Sequence, residues 1–223
     1  MLHQNYRDHA YKFYCIIKGY PDSSQLCGRI FESYFHRYLK YLKDSRTFII
    51  KPLDNRAATP EITFTVNKDS HHSFTDLKKL SEQLKSTVKN NTSCYFRPDS
   101  PVFPTFDSFL YQPEISDHGL SPLIALQVTT AASHDIKIKG LKELQSSLNL
   151  RNTFLKNLRR TNNRKIIILF LVPDDLEKTF GMQKITGKGA EVWYKKTVQY
   201  VLGIPEKELF NFHEAMVVVT SIQ

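Results

Sequence analysis

A carboxylate at Asp107, an amide oxygen at Gln127 and an ammonium at Lys137 fall on consecutive predicted elements, and together they suit phosphodiester chemistry. A carboxylate and a carbonyl oxygen are hard donors that hold Mg²⁺ while it keeps several waters, and a lysine stabilises charge on the phosphate or orients the attacking water. One carboxylate binds such an ion weakly, so Glu32, on an earlier helix, is the candidate second. The candidate metal ligands are Asp107, Gln127 and Glu32, and the candidate catalytic residues are these three with His134 and Lys137. Three of them have a plainer account. Glu32 lies one helical turn before His36 and would serve equally as its acceptor, while His134 and Lys137 would snorkel at a helix start.

The elements that must position these groups follow from hydrophobic spacing. Leu123 to Val128 is an apolar run of strand length interrupted by Gln127, and Phe106 to Tyr111 is a strand in which Asp107 is the only acid. After a turn, Ser133 caps a predicted helix with Leu141, Leu144 and Leu148 on one face. Continuing that spacing backwards puts Lys137 and His134 on the same inward face. An inward lysine costs desolvation energy unless it meets oxygen atoms, which marks this junction as a polar site.

Elsewhere, residues 1–20 predict a short helix ended by Gly19 and Pro21, and a stronger helix runs from Ser23 with Leu26, Ile30, Phe31, Tyr34, Phe35, Tyr38 and Leu42 as its apolar stripe. Residues 46–53 and 61–66 alternate as a pair of strands. Ser73 with Asp76 resembles a capping box for a helix to Val88. Residues 150–160 predict a helix bearing Arg151, Lys156, Arg159 and Arg160, followed by Arg164 and Lys165. No acid opposes these charges, so they form either a phosphate-binding patch or a solvated face. KIIILFLV (165–172) is a strand covered on both sides and belongs at the centre of a sheet. Residues 174–190 read as an irregular loop, Trp193 to Leu202 as the next element, and Ala215 to Thr220 as a last strand.

With 223 residues, 41% of them apolar, the chain supports one sizeable core, divided into a helical appendage (1–22) and a single α/β domain (23–223). A net charge of +9 favours polyanionic partners. Three widely spaced cysteines suggest neither a disulfide framework nor a zinc knuckle, and fit a reducing, intracellular compartment. No run reaches the length of a membrane span and the N-terminus is too polar for a secretory signal.

GRIFESYFH (28–36), FPTFDSFL (103–110), LIALQVTTAASHDIK (123–137), the late strand ending in Val172 and Pro173, and VQYVL (198–202) lie in order across most of the chain. Together they resemble the nuclease-like C-terminal domain of Crinkler-type effectors and of retrotransposon hot spot proteins, a divergent branch of the PD-(D/E)XK restriction-endonuclease superfamily. The resemblance implies a mixed central sheet flanked by helices, restriction-endonuclease-like, and a Mg²⁺-dependent endonuclease acting on double-stranded DNA in the nucleus of a host or of its own cell. By that likeness Asp107 matches the second-strand aspartate, Gln127 the Glu/Gln position of the third strand and Glu32 the glutamate of the first helix. The superfamily pattern has lysine two residues after Gln127, where this chain has Thr129, so Lys137 would supply the ammonium. Such domains commonly follow a nucleoside-triphosphatase module, a possible partner here; no GxxxxGK[ST] occurs, so the chain is read as the nuclease-like part alone or a fragment. The rival expectations are a catalytically inactive nucleic-acid-binding module and a protein-interaction module on the same fold.

Overall fold

A computed structural model of the chain describes residues 2–54, 59–68, 70–100, 105–148, 155, 158–159 and 164–211, with side chains from residue 9 onwards. The elements are α1 (Leu2–Lys18), α2 (Ser24–Lys40), β1 (Arg46–Pro52), β2 (Ile62–Val66), β3 (His71–Phe74), α3 (Leu77–Asn90), β4 (Cys94–Pro98), β5 (Ser108–Tyr111), β6 (Leu120–Val128), β7 (Ile136–Lys137), α4 (Ile138–Leu148), β8 (Lys165–Pro173), α5 (Asp174–Glu177), β9 (Ile185–Thr186), α6 (Ala190–Tyr194), β10 (Thr197–Ile204) and α7 (Glu206–Asn211). The fold is α/β, with a mixed eight-stranded sheet in the order β2-β1-β10-β8-β6-β5-β4-β3. β6, β8 and β10 run parallel, β4 and β5 run antiparallel to their successors, and β7 and β9 form a separate parallel pair. The expected strand at 215–220 lies outside the described residues, as do Arg151, Lys156 and Arg160.

Alternation along the strands builds two cores. On one face Ile124, Leu126 and Val128 of β6 and Ile167, Leu169 and Leu171 of β8 meet Phe31, Phe35 and Tyr38 of α2. On the other face Ala125, Ile168 and Phe170 meet Leu80 and Leu84 of α3 and Leu141 and Leu144 of α4. Because β8 is covered on both sides, every residue from Ile166 to Pro173 is buried, and the strand sits inside the sheet as its composition requires. Burial of Phe31 and Phe35 contributes about 2 kcal/mol each to holding α2 on the sheet. α1 adds Tyr14 and Ile17 to the same core. Its Tyr14 hydroxyl and Lys18 ammonium each donate to Glu206 of α7 at 2.8 Å. Among the described residues no helix is long and apolar enough to cross a membrane.

Four local expectations change, the last at the start of α4. Helix α3 is capped by Asp76, whose carboxylate accepts from Lys79 N–H at 2.8 Å, while Ser73 belongs to edge strand β3. β4 and β3, both unanticipated, extend the sheet beyond β5. Residues 174–190, expected as a loop, contain α5 and β9.

The helix expected from Ser133 begins only at Ile138. The backbone before it is committed elsewhere: His134 N–H donates to Gln183 Oε1 at 2.6 Å, and Ile136 N–H to the Lys184 carbonyl at 2.8 Å. Ile136 and Lys137 pair with Ile185 and Thr186 as β7 and β9. Strand neighbours point to opposite sides, so Ile136 is buried and Lys137 is exposed, replacing the inward lysine that helical spacing predicted.

Candidate active site

Asp107 stands immediately before β5, where its N–H still joins the ladder by donating to the Leu126 carbonyl at 2.9 Å. Its side chain turns to the end of β6: Oδ2 accepts from Val128 N–H at 2.6 Å and from Gln127 Nε2 at 3.0 Å. Adjacent antiparallel strands thus bring together the two residues that sequence placed on neighbouring elements. Burial, and then the negative charge of Glu32, push the Asp107 carboxyl pKa up to about 8, against the pull of the Val128 and Gln127 donors.

Glu32 reaches this point from α2. An added Cβ on Gly28 would come within 3.7 Å of Thr130 Oγ1, so the early turns of the helix run close over the chain leaving β6. One turn later Glu32 and Asp107 line the same cleft, of about 150 Å³, together with His36, Arg97, Asp99 and Phe106. His36 Nε2 lies 3.4 Å from Glu32 Oε1, and His36 Nδ1 lies 2.5 Å from the Tyr95 hydroxyl. Burial holds the imidazole below its usual pKa, the Glu32 hydrogen bond opposes that shift, and Arg97 adds to it. A neutral ring donates through one nitrogen only. With Glu32 beside Nε2 the ring N–H is placed there, so Nδ1 accepts from Tyr95, whose hydroxyl is held protonated by burial. The plainer account of Glu32, as partner of His36, and its placement facing Asp107 therefore hold together.

Arg97, on the exposed side of β4, is the cation of this cleft, and its charge reaches both His36 and Tyr95. Thr129, at the position where the superfamily pattern has lysine, is 5% exposed and its hydroxyl accepts from Ala131 N–H at 3.1 Å, closing a turn. Lys137 and His134 are not among the described residues lining the cleft. His134 is half-buried, and its pKa is lowered by burial and by Lys137, against Asp135. Arg97 and Tyr95 were missed because β4 was not recognised, and His36 was read only as a partner of Glu32. The signal for the helix side was there: Glu32, His36 and Lys40 recur every fourth residue, which puts them on one face of α2.

The described part of the basic stretch lies elsewhere. Lys165 is level with Leu120 at the start of β6, and Leu158 O accepts from Ser121 Oγ at 2.9 Å, whereas Gln127 is at the strand's other end. Arg159 is half-buried and its Nε donates to Leu148 O at 2.6 Å, which caps the last turn of α4.

The oxygen donors present, two carboxylates and an amide, fit a hard divalent cation such as Mg²⁺. The raised proton affinity of Asp107 beside Glu32 marks a place where positive charge is favoured. Among the described residues no group of three His, Cys, Asp or Glu side chains is arranged to hold a metal ion. No family model matches the chain, and neither does any curated protein or solved structure.

Proposed function

We propose that the chain is a metal-dependent DNA endonuclease of restriction-endonuclease-like type, with its site at the Asp107 end of the sheet. The observation that carries this reading is the convergence of Glu32 and Asp107, distant in sequence, beside Arg97 in one cleft, with Gln127 joined to Asp107 by a hydrogen bond. Asp107, Glu32 and the Gln127 amide oxygen would hold Mg²⁺, which when bound supplies Lewis-acid stabilisation of the phosphate and a more acidic water. Arg97 binds the phosphate oxygens and stabilises the charge that grows on them. His36, braced by Tyr95, holds the Glu32 side chain in the cleft wall. Asp107, protonated near neutral pH when no cation is present, releases its proton when positive charge arrives.

Plasmid incubated with the protein tests this. Nicking or linearisation is expected with Mg²⁺ and not with chelator, and Asp107→Asn and Arg97→Gln are each expected to lower the rate on the order of a hundredfold or more. Lys137→Gln should leave it within a fewfold. Cleavage by Asp107→Asn at the parental rate would remove the proposed centre.

The buried Thr129 and exposed Lys137 favour one alternative: an inactive descendant that still binds nucleic acid. It predicts salt-sensitive DNA binding with no cleavage under any divalent ion.

A further inference from the structure

A second and larger cavity, of about 450 Å³, continues from the Asp107 cleft toward the sheet edge, and the two share His36, Arg97, Pro98 and Asp99 in their walls. Lys40, His71, His72, Tyr95, Arg97 and Asp99 are among the residues lining it. Three separate elements contribute: Lys40 comes from the end of α2, His71 and His72 from edge strand β3, and Arg97 from β4. The outer end is open because β3 is the last strand of the sheet. Lys40 packs over the Tyr41 ring at 5.1 Å, and among the described residues neither it nor Arg97 makes an ion pair. Two cations against the single carboxylate of Asp99, in a concave site with the His72 imidazole in its wall, make a receptor for a tetrahedral anion rather than for a cation.

We propose that this cavity binds the backbone phosphate of the nucleic-acid strand next to the phosphate held in the Asp107 cleft. This inference rests on the endonuclease reading, because it supplies that site with the phosphate contacts that register the strand. Arg97 stands at the junction of the two cavities and touches both phosphates, while Lys40 and His72 belong to the second alone. The spacing on α2 expresses the same arrangement: Glu32 serves the cleft, His36 the wall between, and Lys40 the outer cavity, each one turn from the last.

The test is fluorescence anisotropy of a labelled four-nucleotide single-stranded oligonucleotide in chelator, which prevents cleavage, across a salt series. Lys40→Gln and His72→Gln are expected to weaken binding severalfold to tenfold, and Lys40→Gln to reduce the slope of log affinity against log salt by about 0.7, one phosphate's share for a single strand. Lys89→Gln, on exposed α3 surface, is the control and should change neither. Parental binding and slope in both Lys40→Gln and His72→Gln would overturn the inference, as would displacement of the oligonucleotide by poly-glutamate at equal charge concentration, which would assign the cavity to an acidic protein partner. Plasmid cleavage with Mg²⁺ is read separately on the same variants. Its absence in the parent defeats the endonuclease reading, and the anisotropy result stands apart from it.

Discussion

At Asp107 the cost of the site is borne as a raised proton affinity. The folded state keeps the carboxyl proton up to about pH 8, whereas the unfolded chain releases it near the ordinary aspartate value of about 3.9, so between those limits the folded state holds more protons. Stability attributable to this residue therefore falls as pH rises through that window. Asp107→Asn keeps the acceptor for Val128 N–H and removes the repulsion with Glu32, so it should stabilise the protein by on the order of 1–3 kcal/mol at about pH 8 and by much less at about pH 5. Mg²⁺ should raise the melting temperature of the parent at the higher pH and leave the variant unmoved. Thermal melts at the two pH values check both expectations; a parent no more pH-sensitive than the variant would mean that Asp107 is ionised throughout. Asp107 and Gln127 were legible in the sequence because each breaks a strand pattern with a polar group that has to find a partner, and the partner is the other. Arg97 was not, since an arginine on the exposed side of a strand carries no such mark.

Helix α2 contributes the site's most extended network, running from Tyr95 through His36 to Glu32. Tyr95→Phe removes the donor to His36 Nδ1 and leaves a buried acceptor unpaired, so a loss of about 1–3 kcal/mol is expected. A purely structural role for this network would stop there. If it positions Glu32, Mg²⁺ affinity read from the melting shift also falls, and His36→Gln, which restores one donor, recovers part of it. An unchanged Mg²⁺ shift in Tyr95→Phe would limit the network to packing. The stripe of α2 from Phe31 to Tyr38 and the continuous apolar run of β8 could be read from sequence because their burial follows from spacing alone, whereas Leu26, expected in the same stripe, is exposed. The start of α4 could not, because Ser133 offers a good cap and the leucine spacing extends backwards without conflict. What decides it is a competing set of backbone hydrogen bonds to residues 183–186, some fifty positions away. β4 stayed hidden for a related reason: four of its five residues are buried, so it shows no alternation to detect.

For the molecule as a whole, the direction of the sheet separates two functions that composition alone merges into one net charge. The cleft lies where β6 ends, and the described basic residues Arg159, Arg164 and Lys165 lie where β6 begins. Leu120 to Gln127 spans roughly 20 Å at about 3.3 Å per residue, less a little for the bulge near the start of the strand. Along a duplex axis that distance is about six base pairs at about 3.4 Å each. The three phosphates of a four-nucleotide single strand seated at Lys40 and Arg97 fall short of Arg164 even when the strand is extended, whereas a duplex of a dozen or more base pairs reaches it. Arg164→Gln should accordingly leave binding of the short probe unchanged and reduce the salt slope for a long duplex by about 0.9, while Lys40→Gln affects both probes. Arg159→Gln should behave differently from either, because its guanidinium holds the Leu148 carbonyl: the expected effect is a stability loss of about 1 kcal/mol, seen in melting before it is seen in affinity. Anisotropy with the two probe lengths measures the separation directly. Sensitivity of the short probe to Arg164→Gln would mean that the strand follows a path across the sheet other than the one the cavities mark.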